Sequence, residues 1–461
     1  MTIILHVDFN SYFAAVEQQA NPRLRGKPIG VTGGDRIKRT VLGAASVEAK
    51  RFGVKTGMLE WQAKQLCPQI ILVQGDSDKY LETTKRFLNI LKCYSPYLEV
   101  FSIDEAFMEL PNNKSEARNP KYETISNVLN PNVQNVLDFK NLNLEFVSDF
   151  DIRISNFANA VRIALDIKSR IKSEIGEWIT CSIGISYNKL MAKLAGSLQK
   201  PDGLVVIPNQ EEAIKVLDKI ELDEICGIGP RIKKRLNNMG IFDFQTLRQA
   251  SLQSLLASFK SYGQILYNMA RGIDYSKVMP FYEKEEVKSI GHRHTIDHDT
   301  DDPLEIKQIL LKLTEMVARR LRAKNLVGKT IHCWYRSALH PPGVVTFSHP
   351  EGGFTGNGMQ ITIQCTNDGL DIFKTAWKVF RNLWGGEKIR MVGVSISNLR
   401  SQIPQNLSLL PEIKKTEIIT KVLDKINDKY GEFTLQRGIM ISLNNADNCN
   451  RRSRVFRVTS L

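Results

Sequence analysis

The chain opens with Ile3-Ile4-Leu5-His6-Val7-Asp8-Phe9, an apolar, β-rich run that ends in a carboxylate. Tyr12-Phe13-Ala14-Ala15-Val16-Glu17 reads as the start of a helix, Gly26-Lys27-Pro28 punctuates it, and Ile29-Gly30-Val31 reads as another short strand. Helical spacing resumes over 46–52, 60–66 and 80–94, the last with Leu81, Phe87, Leu88 and Leu91 as its apolar positions. Residues 100–110 read as strand, tight turn and strand. Residues 111–152 then change character: Pro111, Pro120 and Pro131 stand among many asparagines with no clear period, the pattern of an inserted surface loop.

Order resumes with a helix over 157–175, a strand over 179–185 and a helix from Asn188. Pro201-Asp202-Gly203 turns the chain into the strand Leu204-Val205-Val206-Ile207, and helical pieces are expected through about residue 280. Pro280 and the charged stretch Glu283-Lys284-Glu285-Glu286 read as a linker. Beyond it, strands at 288–296, 329–336, 343–348, 359–364 and 389–398, with helices at 303–323 and 368–384, make a self-contained α+β unit. A polar, Pro-bearing stretch leads into an amphipathic segment at 414–430 and a basic end, Arg451-Arg452-Ser453-Arg454.

A chain of 461 residues has length for about three to five domains with real cores. Its 42% apolar and 24% charged residues suit a soluble globular protein and exclude collagenous, coiled-coil or wholly disordered chains. No apolar run suits a membrane span, and polar His6 and Asp8 cut the N-terminal run too short for a signal peptide. The seven cysteines are scattered without a CxxC, so neither a disulfide framework nor a zinc site is expected, and a reducing cytoplasm fits. Lysine and arginine (63) exceed aspartate and glutamate (49), giving a net charge of +14 that favours polyanionic partners.

The candidate chemistry begins with Asp8 at the end of the first strand and Asp104-Glu105 in the later hairpin turn. Buried carboxylates are costly unless something pairs with them, and three brought together would repel one another. A divalent cation removes that repulsion. Oxygen-only ligands point to Mg²⁺, and two such ions are the device for in-line phosphoryl transfer.

Further motifs occur in order. Asp8-Phe9 with Tyr12-Phe13-Ala14-Ala15-Val16-Glu17, and Phe101-Ser102-Ile103-Asp104-Glu105-Ala106-Phe107, are joined by Glu48-Ala49-Lys50-Arg51-Phe52-Gly53-Val54-Lys55 with Gly57-Met58. Ser182-Ile183-Gly184-Ile185-Ser186-Tyr187-Asn188-Lys189-Leu190-Met191-Ala192-Lys193, Lys200-Pro201-Asp202-Gly203 and Lys288-Ser289-Ile290-Gly291 follow. Over about residues 1–400 the chain resembles the Y-family (translesion) DNA polymerases, and most of all their DinB, or DNA polymerase IV, branch.

The resemblance implies an α+β multidomain right-hand polymerase. Its ferredoxin-like palm would be 1–10 plus 76–196, its small fingers 11–75, its helical thumb 197–282, its α+β little finger 286–400, and its tail 401–461. It implies template-directed, low-fidelity addition of deoxynucleoside triphosphates to primer–template DNA by a monomeric, cytoplasmic enzyme. Asp8, Asp104 and Glu105 would hold two Mg²⁺ ions, with the Phe9 carbonyl as a further ligand. Phe13 would be the steric gate against a 2′-hydroxyl. Backbone amides of residues 10–13, including Ser11, Tyr12 and Phe13, would hold the triphosphate at a helix N-terminus, with Lys50 and Lys189 adding charge. The fingers depart from the family pattern: where many relatives have Thr, Tyr and Arg, this chain has Ala44, Val47 and Lys50. Lys50 keeps a charge without the bidentate fork, which leaves a UmuC-like subtype as an alternative.

Ile225-Cys226-Gly227-Ile228-Gly229-Pro230, followed by Arg231-Ile232-Lys233-Lys234-Arg235, carries an independent signal. Gly227 and Gly229 allow a tight helix–hairpin–helix turn whose amides face a phosphate, Pro230 suits the next helix's first turn, and Arg231 and its neighbours can neutralise phosphates. With Lys288, Ser289, Gly291 and Arg293 it forms the expected DNA-binding set, and Arg319-Arg320-Leu321-Arg322-Ala323-Lys324 adds positive charge. His292, His294 and His298 lack clean metal-ligand spacing, so phosphate proximity or no role is expected of them. Gln405-Asn406-Leu407-Ser408-Leu409-Leu410 resembles the peptide by which bacterial polymerases bind the sliding clamp, through Gln405, Leu407, Leu409 and Leu410. Two other readings fit parts of the sequence: a nucleotidyl cyclase, which would need none of the fingers, hairpin or little-finger motifs, and a catalytically silent DNA-binding scaffold, which would not need the three carboxylates.

Overall fold

The structure is a computed structural model that describes residues 2–33, 40–110, 154–283, 286–338, 356–401 and 411–440. The expected insertion at 111–152, the strand at 343–348 and the peptide 405–410 lie outside the described residues. The chain divides into two compact units, with the boundary in sequence between 284 and 285, inside the charged stretch read as a linker.

In chain order, the first unit contains β1 (Ile3–Phe9), α1 (Tyr12–Ala20), β2 (Ile29–Thr32), β3 (Leu42–Ala45), α2 (Val47–Arg51) and α3 (Glu60–Leu66). It continues with β4 (Ile71–Gln74), α4 (Ser77–Leu91), β5 (Leu98–Val100), β6 (Glu105–Leu110), α5 (Ile154–Arg170) and β7 (Cys181–Ser186). Then follow α6 (Lys189–Leu198), β8 (Leu204–Ile207), α7 (Gln210–Leu217), α8 (Pro230–Asn237), α9 (Phe244–Gln249), α10 (Leu252–Phe259) and α11 (Ser261–Met269). Helical structure stops at Met269 rather than near residue 280, because the chain turns extended and the Phe281 amide donates to the Leu98 carbonyl beside β5.

The main sheet runs β5-β6-β1-β7-β8. Its first four strands with α4 and α5 make a ferredoxin-like βαββαβ unit with every neighbour antiparallel, and β8 adds in parallel to β7. Period-two alternation sorts β1 into two faces. Ile3, Leu5, Val7 and Phe9 enter one core with Phe87 and Leu91 of α4 and Ala164 and Ile167 of α5. Fully burying each large apolar side chain there contributes roughly 1.5–3 kcal/mol. Ile4 instead packs with Phe107 and Ala192 of α6, so His6 and Asp8 share the α6 face.

A small sheet, β3-β2-β4, closes over a core that includes Leu42, Ala49, Ala63 and Cys67. Helices α7–α11 surround Leu217, Leu236, Phe244, Leu247 and Leu255.

The second unit contains β9 (Ser289–Thr300), α12 (Pro303–Ala323), β10 (Leu326–Ser337), β11 (Gly358–Thr366), α13 (Gly369–Leu383), β12 (Ile389–Ser397), β13 (Arg400–Ser401) and α14 (Pro411–Tyr430). Its sheet order is β11-β10-β12-β9, all antiparallel, with β13 against the start of β10. The basic run on α12 is not the open surface its composition suggests. Arg322 makes a two-pronged pair with Asp424 of α14 (2.6 and 2.8 Å), Arg319 pairs with Asp428 (2.6 Å), and Arg320 donates to the Gly291 carbonyl (3.2 Å). The amphipathic segment at 414–430 is thus tied to α12 by complementary charge. Among the described residues, no helix is long and apolar enough to cross a membrane.

Candidate active site and nucleic-acid interface

The register of β1 assembles the carboxylates. Asp8 pairs across to Glu105 on β6 and to Ser182 on β7, so a central strand delivers it to the mouth of the sheet. The Phe9 amide donates to the Asp104 carbonyl (3.0 Å), which closes the ladder on the hairpin turn. That turn is tight because the Phe101 and Ser102 amides both donate to the Glu105 carbonyl (3.1 Å each), and Thr84 of α4 holds the Ile103 carbonyl at 2.7 Å.

Charges in this mouth act on one another. Burial pushes the Asp104 carboxyl above its usual value, and the negative charges of Asp8 and Glu105 push it further, against the hydrogen bond from Ser102. Burial acts on Glu105 in the same direction, but hydrogen bonds from His6 and Lys193 overcome it and hold that carboxyl down at about 2. The His6 imidazole is buried, and that burial holds its pKa below the ordinary value against the raising effect of the hydrogen bond to Glu105, whose Oε2 lies 2.9 Å from Nε2. One ligand-type atom from each of His6, Asp8 and Glu105 falls within 4.8 Å of the others. The His6 Nε2 is engaged by Glu105, which leaves Asp8, Glu105 and the coupled Asp104 as the oxygen donors.

Two ammonium groups already lie against these carboxylates: Lys200 on Asp8 (2.8 Å) and Lys193 on Glu105. A cluster of acids that draws two cations from its own chain suits a divalent cation. Lys50 on α2 belongs to the same field. Its side chain is exposed, yet desolvation and then Lys200 push its pKa down, against Asp8 and Asp104.

The N-terminus of α1 lies next in the chain. Ser11 sits at φ 50°, and its hydroxyl is buried without a hydrogen-bond partner among the described residues. The Asn10 amide is committed to the Thr180 carbonyl (2.9 Å), so the expected cradle contracts to the amides of residues 11–13. The Tyr12 side chain faces the core, where its hydroxyl donates to the Tyr80 carbonyl (2.8 Å). The half-buried Phe13 ring stacks on Tyr80 at 4.4 Å and lies next to Gly43 of β3.

Lys189 needs correction. Its ammonium is held by both oxygens of Glu99 (2.8 and 2.7 Å) and sits over the Phe107 ring, not at the carboxylate mouth. It opens α6, and its end group reaches β5. Lys193, one turn later on the same helix face, is the residue that reaches Glu105.

Gly227 adopts φ +109°, and a Cβ there would stand 2.9 Å from the Tyr262 hydroxyl, so glycine is required. Gly229 has open space around it, Pro230 begins α8, and Arg231 is exposed. Two expected phosphate neutralisers are engaged within this unit: Lys233 pairs with Glu221 and Asp223 (3.0 and 2.7 Å), and Arg235 lies over Phe259.

On β9, period two puts Ser289, Gly291 and Arg293 on one face and Ile290 and Ile296 in the core, while Lys288 is exposed just before the strand. His292 falls on the core side, where burial, then Arg320, His294 and Lys312, hold its pKa at about 4. His294 shares that side, and the exposed His298 lies 3.3 Å from Glu305.

Sequence reasoning missed His6, Lys193 and Lys200. His6 precedes Asp8 by two residues on a strand, which places both on one face, and Lys193 follows Lys189 by four on a helix; those spacings were the available signals.

Comparison with known proteins supplies the lineage. Residues 7–197 match the impB/mucB/samB family, 287–409 its C-terminal domain, and 223–274 the DNA polymerase-iota thumb domain. The chain is 33% identical to a DNA polymerase IV of Pelotomaculum thermopropionicum, over 95% of each chain. It is 30% identical to a DNA polymerase IV of Moorella thermoacetica, over 95% of this chain and 96% of that one. A solved Y-family DNA polymerase chimera, Dbh-Dpo4-Dbh, superposes with a TM-score of 0.64 at 24% identity, covering 87% of this chain and 99% of that one, and it shares the fold. With the ferredoxin-like sheet, the carboxylate mouth and these matches together, the chain belongs to the Y-family of DNA polymerases, as a DinB-like, DNA-directed DNA polymerase.

Proposed function

We propose that this translesion polymerase joins a deoxynucleotide to a primer 3′-hydroxyl at the mouth of β1, with Asp8, Asp104 and Glu105 holding two Mg²⁺ ions and the Phe9 carbonyl as a further ligand. The observation that carries this is the meeting of Asp8 and Glu105 across the β1–β6 register, each matched by an ammonium group, with Asp104 near enough for both to raise its pKa. In the reaction the primer oxygen bonds to the α-phosphorus and pyrophosphate leaves. The ions, when bound, would acidify that hydroxyl and neutralise charge on the phosphates.

The chain's own groups do the rest. Lys193 and Lys200 turn from carboxylates to phosphates as cations take over their pairing, and Lys50 adds charge beside them. The amides of Ser11, Tyr12 and Phe13 bind phosphate oxygens at the helix N-terminus. Phe13, fixed against Tyr80, excludes a 2′-hydroxyl. Gly227, Gly229 and Arg231, together with Lys288, Ser289, Gly291 and Arg293, contact the DNA backbone without reading sequence.

In this reading the β3-β2-β4 region serves as fingers (11–75), the sheet around β1 as palm (1–10 and 76–196), helices α7–α11 as thumb (197–282) and 286–400 as little finger. Gln405, Leu407, Leu409 and Leu410 tether a monomeric, cytoplasmic enzyme to a sliding clamp. Primer extension with and without template tests the reading. Incorporation directed by the template base and dependent on Mg²⁺ is expected, and template-independent product would refute it.

A further inference from the structure

His6 is 1% exposed, yet it is polar and has no part in the catalytic reading above beyond its contact with Glu105. Its ring packs on Phe107 with centroids 4.6 Å apart, and its Nε2 lies 2.9 Å from the Glu105 Oε2. Behind the ring, Gly196 of α6 leaves room that a Cβ would occupy 3.2 Å from Nδ1, and Nδ1 has no hydrogen-bond partner among the described residues. An apolar side chain would fill this space without leaving a buried nitrogen unsatisfied. The compensating contact is the one to Glu105. Lys193 donates to the same Oε2, and no donor among the described residues reaches Oε1. Two donors on one oxygen fix the carboxylate plane and leave the other oxygen available.

We propose that His6 is a positioning residue: its Nε2–H holds the Glu105 Oε2, so that Oε1 is the oxygen presented to a divalent cation. This rests on Glu105 being a metal ligand. Lys193 alone could not do the same work, because a flexible ammonium that also serves phosphate leaves its post when substrate arrives, whereas the imidazole is locked between β1, β6 and α6.

The test compares His6→Met with His6→Gln, side chains of similar reach that differ in having an N–H to donate. Mn²⁺ binding to the polymerase on primer–template with a non-hydrolysable nucleotide is followed by electron paramagnetic resonance, with melting temperature measured in parallel. His6→Met is expected to weaken Mn²⁺ binding by about tenfold or more, and His6→Gln to restore it to within about threefold of the parent. Equal weakening in both variants, or none in either while Glu105→Gln binds poorly, overturns the proposal. Undiminished binding in Glu105→Gln would instead remove the ligand assignment beneath it. If neither His6 variant folds, the nitrogen resonances of His6 in the unaltered protein decide. A proton on Nε2 supports the role, and an Nε2 without a proton overturns it.

Discussion

Both units are built on the same string of elements, strand–helix–strand–strand–helix–strand, but they weave it differently. In the first, the opening strand β1 is central, flanked by β6 and β7, and its last residues gather groups from both neighbours. In the second, among the described residues, the opening strand β9 lies at the sheet edge with β12 as its one partner in the sheet, and Ser289, Gly291 and Arg293 share the face turned from the core. A central strand end concentrates charge: Asp8 and Glu105 stand close enough to raise the Asp104 pKa, and Lys200 and Lys193 answer Asp8 and Glu105. An edge strand spreads its polar side chains along a surface instead. The first arrangement suits chemistry at a point and the second suits contact along a polyanion, so damage to each should appear in different measurements.

The sharpest way to break that distinction is at the carboxylates. Asp104→Ala or Glu105→Ala is expected to cut single-turnover extension on the order of 10³-fold while primer–template affinity stays within a few-fold. Parallel loss of affinity would mean that the mouth of β1 is structural.

A smaller effect is expected at the ring beside it. Phe13→Ala should lower the ratio of deoxynucleotide to ribonucleotide incorporation efficiency by about 10–100-fold, since it opens space without touching a carboxylate. An unchanged ratio would remove the gate.

On the other side of the comparison, Arg293→Ala should leave incorporation at saturating DNA unaltered and reduce the slope of log affinity against log salt by about 1. Loss of rate at saturating DNA would join the two regions that the account separates. Least of all, Lys50→Arg should leave nucleotide KM the same or lower it by a few-fold, because a fork can make two contacts where an ammonium makes one. A large rise would show that Val47 and Lys50 form a fitted departure from the family pattern.

Much of this was legible in the sequence, for physical reasons that differ by residue. An apolar run that ends in Asp8 and a hairpin turn that holds Asp104-Glu105 announce buried charge, and Gly227-Ile228-Gly229-Pro230 announces a tight turn into a helix. What stayed hidden depends on pairing between distant segments. His6 acquires its partner from the register that sets β1 against β6, a contact between residues 99 apart. Lys189 and Lys193 share a helix face, and only the height of α6 against β5 and β6 decides which one meets Glu105. The arginines of α12 read as added positive charge until α14 brings Asp428 onto Arg319 and Asp424 onto Arg322.

The most direct test uses the unaltered enzyme: fluorescence anisotropy on labelled primer–template and nucleotide incorporation are followed in one sample as Mg²⁺ is chelated and then restored. Incorporation is expected to stop and return while DNA affinity changes by no more than a few-fold. Incorporation that persists without a divalent cation, or DNA binding that collapses with it, would contradict the separation of a charge-dense catalytic mouth from a DNA-holding surface.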